Sequence, residues 1–239
     1  KYMYSNKHAY TRNRHHEIEE VGMRLDNKRA ERIYRSCLQH LTKKSLDILD
    51  YGGADGKILT PFLNSNNRCF IIDYNDSIIP GVMKVGNDIH DAVIDRKYDL
   101  IICSHVLEHV SDFIGLINKL KEHLEEDGII YAEVPQEIWA GISLETDPVT
   151  HINFFTRNSF INLFLSTGFE VLDSARIISN YGTACMEVIW TIVRKNRSES
   201  ICLLPTDTRA MLFPSRIYSV KKLICLLFKQ AVTRITIQR

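Results

Sequence analysis

Short apolar runs separated by polar or amphipathic segments dominate the middle of the chain. Seven such runs predict strands, at 46–50, 68–73, 82–89, 98–104, 129–135, 169–178 and 184–194. Helical spacing predicts helices at 17–41, 111–126 and 157–166. Strands that are apolar along their whole length are typical of parallel sheets buried on both faces. The pattern therefore predicts an α/β domain.

The turn after the first strand is the most informative segment. Gly52, Gly53 and Gly56 fall within five residues there, and a helix is predicted to open at Lys57. Glycines let the backbone turn sharply and let a ligand approach without a Cβ in the way. A strand, a Gly-rich turn and a helix N-terminus form a nucleotide-type cradle at the carboxyl edge of a parallel sheet. A tight turn without any ligand is the alternative, because three glycines alone are weak evidence.

Acidic residues follow the next two predicted strands. Asp73 ends the second run, and Asp88 lies near the end of the third. A carboxylate after the second strand accepts hydrogen bonds from ribose hydroxyls in nucleoside-binding α/β folds. Each carboxylate taken singly is a common helix cap or loop residue. Together with Asp50, three carboxylates at successive strand ends favour a cofactor site.

Two longer stretches carry a family resemblance. The motif Asp50-x-Gly52-x-Ala54-x-Gly56 resembles the first motif of S-adenosylmethionine (SAM) methyltransferases, with Ala54 in place of the usual middle glycine. The run YDLIICSHVLEHVSD and the later LKEHLEEDGIIYAEVP resemble the fourth and fifth motifs of that superfamily. HINFFTRNSFINLFLSTGFEV, from His151, resembles the downstream segment of its small-molecule branch, which includes sugar and surface-polysaccharide methyltransferases.

The resemblance implies a fold and a cofactor site. The fold is a Rossmann-like, seven-stranded methyltransferase sheet, mostly parallel with strand seven antiparallel and with helices on both faces. The cofactor is SAM, with Asp73 at the ribose and Asp88 at the adenine amine. The implied cofactor-binding residues are Asp50, Gly52, Gly53, Asp55, Gly56, Asp73, Tyr74, Asp88, Ile89 and Ser104.

Titratable residues cluster after the fourth strand. His105, Glu108 and His109 lie at i, i+3 and i+4, which predicts one helical face, and His151 is expected to join them from the connection after strand five. In one interpretation His109 or His151 is the general base and Glu108 orients an imidazole. This use of a Glu-His pair or a downstream histidine resembles sugar C- and N-methyltransferases.

A divalent metal is the second interpretation of the same cluster. RNA-terminal 2′-O-methyltransferases and ubiquinone-pathway O-methyltransferases carry Glu-x-x-Glu-His at the matching place and bind Mg²⁺. Here His105 replaces the first glutamate, so a site made of His105, Glu108, His109 and His151 favours Zn²⁺, Fe²⁺ or Mn²⁺ over Mg²⁺. In the third interpretation the cluster is structural, with side chains that only cap neighbouring backbone groups.

The two ends of the chain differ in character from the centre. We predict a helical lid or cap at 1–45, the methyltransferase domain at 46–194 and a basic amphipathic extension at 195–239. The extension holds nine Lys or Arg against two acidic residues, although the whole chain has a net charge of +1. Its apolar helical face at 215–239 predicts docking on the domain or on a second subunit, or peripheral contact with an anionic membrane, with nucleic acid the least favoured.

The cysteine usage and the absence of long apolar runs bear on location. Six cysteines lack any C-x-x-C pair, which is typical of reduced thiols in a cytosol. No run approaches the ~20 apolar residues that span a bilayer. We predict a cytoplasmic protein, with the inner face of the membrane as the alternative location.

The predicted function is SAM-dependent methyl transfer to a small-molecule acceptor. The resemblance favours a sugar or surface-polysaccharide precursor, with assistance from a histidine base or a metal. Two alternatives are an RNA-terminal 2′-O-methyltransferase and a non-catalytic binding module with the SAM fold. Nucleic acid is the weaker prediction, because the core lacks a basic patch with interleaved aromatic residues.

Overall fold

A computed structural model of the chain describes residues 15–63, 66–90, 96–136, 151–181, 184–198 and 201–206. Within the first helix, side chains are described from Asn27 onward. The helices are α1 (His15–Leu38), α2 (Thr60–Leu63), α3 (Phe113–Glu122) and α4 (Arg157–Ser166), with a 3₁₀ turn at Lys57–Leu59. The strands are β1 (Asp47–Tyr51), β2 (Arg68–Ile72), β3 (Val82–Gly86), β4 (Tyr98–Ser104), β5 (Leu124–Pro135), β6 (Phe169–Tyr181) and β7 (Ala184–Lys195).

All seven strands form one sheet in the order β3-β2-β1-β4-β5-β7-β6. The first five strands pair in parallel, whereas β7 runs antiparallel to both β5 and β6. The parallel strands therefore all end at one edge of the sheet, after Tyr51, Ile72, Gly86, Ser104 and Pro135. This arrangement confirms the predicted seven-stranded, mostly parallel fold with strand seven antiparallel.

Helices cover both faces of the sheet, as predicted. On one face α1 and α2 pack Ile33, Cys37 and Phe62 against alternate residues of β1, β4, β5 and β7. On the other face α3 and α4 contribute Leu116, Leu120, Phe160 and Phe164 to a larger apolar cluster. The central strands are buried on both sides, which explains their unbroken apolar runs.

Several element boundaries differ from the predictions. The helix predicted at 111–126 ends at Glu122, and Leu124 already belongs to β5, where it pairs with Tyr98. Apolar spacing continued through Leu124 because that side chain is buried in a strand instead of a helix. The helix expected from Lys57 is only a 3₁₀ turn and the short α2, and the strand predicted at 82–89 ends at Gly86.

Residues 105–109 are also not helical. His105 has a φ of 57°, in the left-handed region, and residues 107–109 form a turn in which the His109 N–H donates to the Val106 carbonyl at 2.9 Å. The prediction that His105, Glu108 and His109 lie on one face of a helix is therefore wrong, because these residues lie in a turn. A left-handed residue at 105 takes the chain out of the strand into a turn, so His105 cannot belong to a helix that runs through 105–109.

The apolar helical face predicted at 215–239 and the first part of the predicted lid, 1–14, lie outside the described residues. Their roles and the three-part division of the chain stay predictions. Among the described helices, none has both the length and the apolar character needed to cross a membrane.

Candidate functional site

The Gly-rich turn lies directly beyond β1 and is held by backbone contacts. The Gly52 N–H donates to the Ile72 carbonyl at 2.8 Å, which ties the turn to the end of β2. Gly52 and Gly56 have φ values of 74° and 82°, and Ala54 has 54°. A Cβ at Gly53 would lie 2.2 Å from Asp50 Oδ2, so a larger residue would displace the Asp50 carboxylate or the turn. The turn thus brings backbone amides close to the buried end of β1.

Asp73 links the same turn to the end of β2. One carboxylate oxygen accepts from the Ala54 N–H at 2.9 Å, and the other accepts from the Asn75 N–H at 2.8 Å. Asp55 accepts from the Lys57 N–H at 3.2 Å and pairs with its Nζ at 2.6 Å. The carboxylate expected at the ribose therefore also shapes the loop that surrounds it.

Asp50 is buried at the base of the turn. Its side chain is almost inaccessible, and Oδ2 has no hydrogen-bond partner among the described residues. Burial raises the pKa of Asp50 to about 7, and the charges of Asp73 and Asp55 add to this while Arg29 opposes it. An unpaired buried carboxylate at a Gly-rich turn is suited to a cationic ligand group.

The cofactor residues predicted after β3 are Asp88 and Ile89. The Tyr74 hydroxyl donates to Asp88 Oδ2 at 3.3 Å, and the other Asp88 oxygen accepts from the His90 N–H at 3.1 Å. Ile89 is buried, whereas the Tyr74 side chain is largely exposed. The predicted cofactor residues after β1, β2 and β3 therefore share the carboxyl edge of the sheet.

A charged network connects α1 to the ends of β4 and β5. The fully buried Glu133 accepts from Arg29 Nε at 2.9 Å and from Arg32 Nη2 at 2.5 Å. Tyr131 donates to the same carboxylate at 2.7 Å, and Arg29 also donates to the Ser104 hydroxyl at 2.5 Å. Burial opposes ionisation, but His105 and the two guanidinium groups hold the pKa of Glu133 well below its usual range.

His105 lies between two carboxylates. Its backbone N–H donates to the Glu133 carbonyl at 2.8 Å, and its Nε2 is 3.5 Å from Glu133 Oε1. On its other side Nδ1 is 3.2 Å from Glu108 Oε1. Burial works against the imidazolium, yet the bonds to Glu108 and Glu133 raise the pKa of His105 above its ordinary value.

Glu108, His109 and His151 form a separate group. Their ligand atoms lie within 4.8 Å of one another, and the rings of His109 and His151 meet edge to face at 4.7 Å. Glu108 is buried, with Oε1 3.8 Å from His109 Nε2 and Oε2 unpartnered among the described residues. His105 does not belong to this group. Three of the four predicted metal ligands therefore lie together, and the fourth, His105, lies between Glu108 and Glu133.

The segment that carries His151 is fastened to the turn after β4. The Glu108 carbonyl accepts from the Ile152 N–H at 2.8 Å and from the Asn153 N–H at 3.1 Å. The Asn153 side chain donates to the carbonyls of Leu107 and Val110, at 2.9 and 2.6 Å. These bonds hold His151 beside His109.

Comparison with known families decides the identity of this arrangement. Residues 10–174, more than half of the chain, match a family described as a methyltransferase domain. The chain belongs to this methyltransferase family. The predicted enzyme class, a SAM-dependent methyltransferase, is thereby confirmed.

Relatives of this methyltransferase agree in fold and class. Malonyl-[acyl-carrier protein] O-methyltransferase of Acetivibrio thermocellus is 30% identical over 104 residues, 37% of this chain and 35% of the relative. The match thus spans about a third of the length of that curated relative. A SAM-dependent methyltransferase from Clostridium acetobutylicum superposes with a TM-score of 0.54 at 12% identity, covering 71% of this chain and 92% of the other.

A further structure is that of the 1,6-didemethyltoxoflavin-N1-methyltransferase of Burkholderia thailandensis, with bound 1,6-didemethyltoxoflavin and S-adenosylhomocysteine. Its TM-score is 0.56 at 17% identity, and the match covers 72% of this methyltransferase and 78% of the other chain. These two structural likenesses establish the fold, and the family match establishes the class.

Sequence reasoning missed four residues of this site. Arg29 and Arg32 looked like ordinary surface charges of a helix, and Glu133 looked like an incidental polar residue in a strand. Asn153 also gave no signal. The one signal in the sequence is the spacing of Arg29 and Arg32, because residues at i and i+3 lie on the same helix face.

Proposed function

We propose that the enzyme transfers a methyl group from SAM to a small-molecule acceptor that faces Glu108, His109 and His151. The observation that carries this proposal is the position of that group. It lies at the same sheet edge as the Gly-rich turn, separated from the turn only by the end of β4. A donor at the turn and an acceptor at the histidines would therefore meet beside Ser104.

The cofactor side is assigned to the residues at the ends of β1, β2, β3 and β4. Asp73 would bind the ribose hydroxyls, Asp88 and Ile89 the adenine, and Asp50 the cationic end of the methionine moiety. SAM supplies a sulfonium methyl group that is already electrophilic, so the protein has mainly to align and enclose the reactants. The glycines of the turn and the side chains of Asp55, Tyr74 and Ser104 complete this assignment.

The group of Glu108, His109 and His151, on the side of the methyl acceptor, supplies a base. A hydroxyl, amine or carbon acid must lose its proton around the time of transfer, and an imidazole is the usual base near neutral pH. The His109 side chain is 22% exposed and His151 is partly exposed, whereas Glu108 is buried. We therefore assign the base to one of the two histidines and the orienting role to Glu108.

A divalent metal at the same three residues is the second candidate. The unpartnered, buried Glu108 Oε2 favours it, because buried carboxylate oxygens normally have a partner. Two imidazoles and one carboxylate suit Zn²⁺, Fe²⁺ or Mn²⁺. A bound metal would act there as a Lewis acid on the acceptor.

The acceptor is proposed to carry hydroxyl groups. Gln136 is fully buried just after β5, and among the described residues neither its Oε1 nor its Nε2 has a partner. A buried amide that needs both a donor and an acceptor favours a hydroxyl-bearing molecule over a purely apolar one. A sugar or surface-polysaccharide precursor has this chemistry. The Burkholderia enzyme acts on a small molecule, which supports the general class.

Calorimetric titration with SAM, before and after dialysis against a chelator, tests this proposal. We expect SAM to bind in both samples, and metal analysis of the undialysed sample decides between the base and the metal. Transfer of radiolabelled methyl groups is then measured on a panel that contains a nucleoside-diphosphate sugar, a catechol, a malonyl thioester and a short RNA. An enzyme that binds no SAM would contradict the whole proposal, and transfer to RNA alone would contradict the small-molecule acceptor.

Histidine variants locate the acceptor side. His109→Ala and His151→Ala should each lower turnover on the productive acceptor by on the order of 10²-fold or more while SAM affinity stays unchanged. The control is His123→Ala, at the opposite edge of the sheet, which should retain both properties. Full turnover in the His109 and His151 variants would remove base and metal chemistry together. A non-catalytic module would show SAM binding without transfer to any acceptor.

A further inference from the structure

Glu133 connects two parts of the molecule that are far apart in sequence. Its Oε2 accepts from Arg32 on α1 and from Tyr131, and its Oε1 accepts from Arg29. Oε1 also accepts from the Ser104 hydroxyl at 3.3 Å and lies 3.5 Å from His105 Nε2. Both oxygens thus hold α1, and Oε1 in addition contacts two residues at the end of β4.

His105 extends this connection toward the acceptor side. Its ring spans the space between Glu133 Oε1 and Glu108 Oε1, with contacts of 3.5 and 3.2 Å. The next contact, from Glu108 Oε1 to His109 Nε2, is 3.8 Å. The left-handed backbone of His105 directs its ring back over the sheet edge instead of along a helix, and its N–H bond to the Glu133 carbonyl fixes this conformation.

We propose that Glu133 is a positioning residue that fixes Glu108 through His105, so that the docking of α1 and the geometry of the acceptor-side group form one unit. This inference rests on the proposed function of Glu108, His109 and His151. Glu133 is not among the residues assigned to the acceptor or the cofactor, although it accepts from the Ser104 hydroxyl at 3.3 Å. It acts by holding the His105 ring, which in turn leaves Glu108 one orientation toward His109.

A purely structural ion pair is the competing explanation, and it makes a different prediction. If Glu133 only anchored α1, removing either end of the anchor would lower stability and leave the histidines of the acceptor side unchanged. Arg32 provides the matched comparison, because within the described part of the chain it donates to Oε2 and to the Tyr131 hydroxyl and not to Oε1. Arg32→Met therefore weakens the anchor without touching the contact between Oε1 and His105.

The experiment records the ring-nitrogen signals of the full-length protein labelled with ¹⁵N-histidine. The nine histidines are assigned with single variants that include His109→Ala and His151→Ala. We expect Glu133→Gln to displace the His109 signals and Arg32→Met to leave them in place, although both lower the melting temperature. His105→Asn removes the bridge while keeping a residue type that tolerates the left-handed conformation. It should displace the His109 signals in the same way.

The double variant gives the sharpest result. If Glu133 acts through His105, adding Glu133→Gln to His105→Asn should displace the His109 signals no further than His105→Asn alone. Additive displacements, or native His109 signals in Glu133→Gln, would overturn the proposal. If Glu133→Gln does not fold, Glu133→Asp replaces it, because it keeps the charge and withdraws the carboxylate from His105. A folded Glu133→Asp protein with native His109 signals would equally overturn it.

SAM titration of the same variants separates this inference from the proposed function. Wild-type protein that binds no SAM contradicts the proposed function, whatever the histidine signals do. Wild-type protein that binds SAM, with His109 signals insensitive to Glu133, contradicts only the positioning role.

Discussion

The Gly-rich turn at 52–56 and the turn at 105–110 lie at the same edge of one sheet, but different interactions hold them. Backbone groups hold the Gly-rich turn. Its Gly52 N–H bonds the end of β2, its Ala54 N–H bonds Asp73, and a Cβ at Gly53 would collide with Asp50. These contacts span 24 residues of chain, from Asp50 to Asp73, and the Ile79 N–H adds a bond to the Asp55 carbonyl at 3.0 Å.

Side chains and backbone groups of distant segments hold the second turn, including the Ile152 and Asn153 N–H groups that bond the Glu108 carbonyl. Asn153 reaches it from 43 and 46 residues away, and Glu133 faces His105 from the neighbouring strand. Through Glu133 the turn also depends on α1, since Arg29 is 104 residues from that glutamate in sequence. The acceptor side is therefore assembled by the tertiary fold, whereas the cofactor side is built into a local stretch of backbone.

This difference has a physical consequence for what each region tolerates. A turn shaped by φ values and close backbone approach has no spare volume, so small substitutions damage it severely. A turn fastened by distant segments loses about 1 kcal/mol when a side chain that fastens it is truncated, and it opens locally without unfolding the domain. The following changes should separate the two cases.

Gly53→Ala should have the largest effect. The new Cβ would lie 2.2 Å from Oδ2 and 3.0 Å from Cβ of the buried Asp50, so the Asp50 carboxylate or the turn has to move. We expect SAM affinity to fall by on the order of 100-fold, about 3 kcal/mol, measured by calorimetry. The His109 and His151 ring signals should not change, because their turn is held by other segments.

Gly168→Ala is the matched control for this change. A Cβ at Gly168 would also meet a close neighbour, Lys121 Nζ at 2.5 Å, but Gly168 has a φ of 79° and lies after α4 at the opposite edge of the sheet. Its substitution should strain the backbone by about 1 kcal/mol and lower the melting temperature while SAM affinity stays unchanged. Equal losses of SAM affinity in both variants would mean that general destabilisation, and not the turn, explains the effect of Gly53→Ala.

The same contrast explains how much of the molecule could be predicted from the sequence. The strands and their common edge followed from local apolar runs, so the positions of Asp50, Asp73 and Ser104 at that edge could be predicted. The end of α3 could not, because Leu124 is buried whether it belongs to a helix or to β5. Only its pairing with Tyr98, a contact between distant segments, decides the question.

The acceptor side was predicted in part, and partly for the wrong reason. The sequence placed Glu108 and His109 near His105 by assuming a helix, but the structure brings them together by a turn with a left-handed His105. A positive φ at a residue other than glycine leaves no mark in the hydrophobic pattern. The ion pairs of Arg29 and Arg32 with Glu133 could not be predicted either, since ion pairs between distant elements depend on how the helix packs on the sheet.

Asp50 provides a pH test of the cofactor side. Its pKa is about 7 in the folded protein against an ordinary value of 3.8, because of burial and the nearby Asp73 and Asp55, with Arg29 opposing. SAM is cationic at its methionine end and should prefer the ionised carboxylate. We expect SAM affinity at pH 6 to be about tenfold weaker than at pH 8, by calorimetry, and Asp50→Asn to remove this dependence.

The ionisation of Asp50 affects folding stability in the opposite direction to SAM affinity. Because the folded protein holds the Asp50 proton more tightly than the unfolded chain, the stabilising contribution of this group is present below pH 4 and is lost as the pH rises through 7. The melting temperature of the SAM-free protein should therefore carry a downward component between these values that Asp50→Asn removes. A variant with the same pH profile as the wild type would show that Asp50 is ionised throughout.

Asn153→Ala should have the smallest effect, and it is confined to the acceptor side. It removes the donors to the carbonyls of Leu107 and Val110, at 2.9 and 2.6 Å, which help to fasten the segment of His151 to the turn. Loss of about 1 kcal/mol should increase local opening roughly fivefold. Hydrogen exchange measures this directly, because the Ile152 N–H is bound to the Glu108 carbonyl and should exchange correspondingly faster.

The Gly52 N–H, bound to β2 at the other turn, should keep its protection, and SAM affinity should not change. If both amides lost protection together, the two turns would open as one unit, and the separation between a locally built cofactor side and a tertiary acceptor side would be wrong.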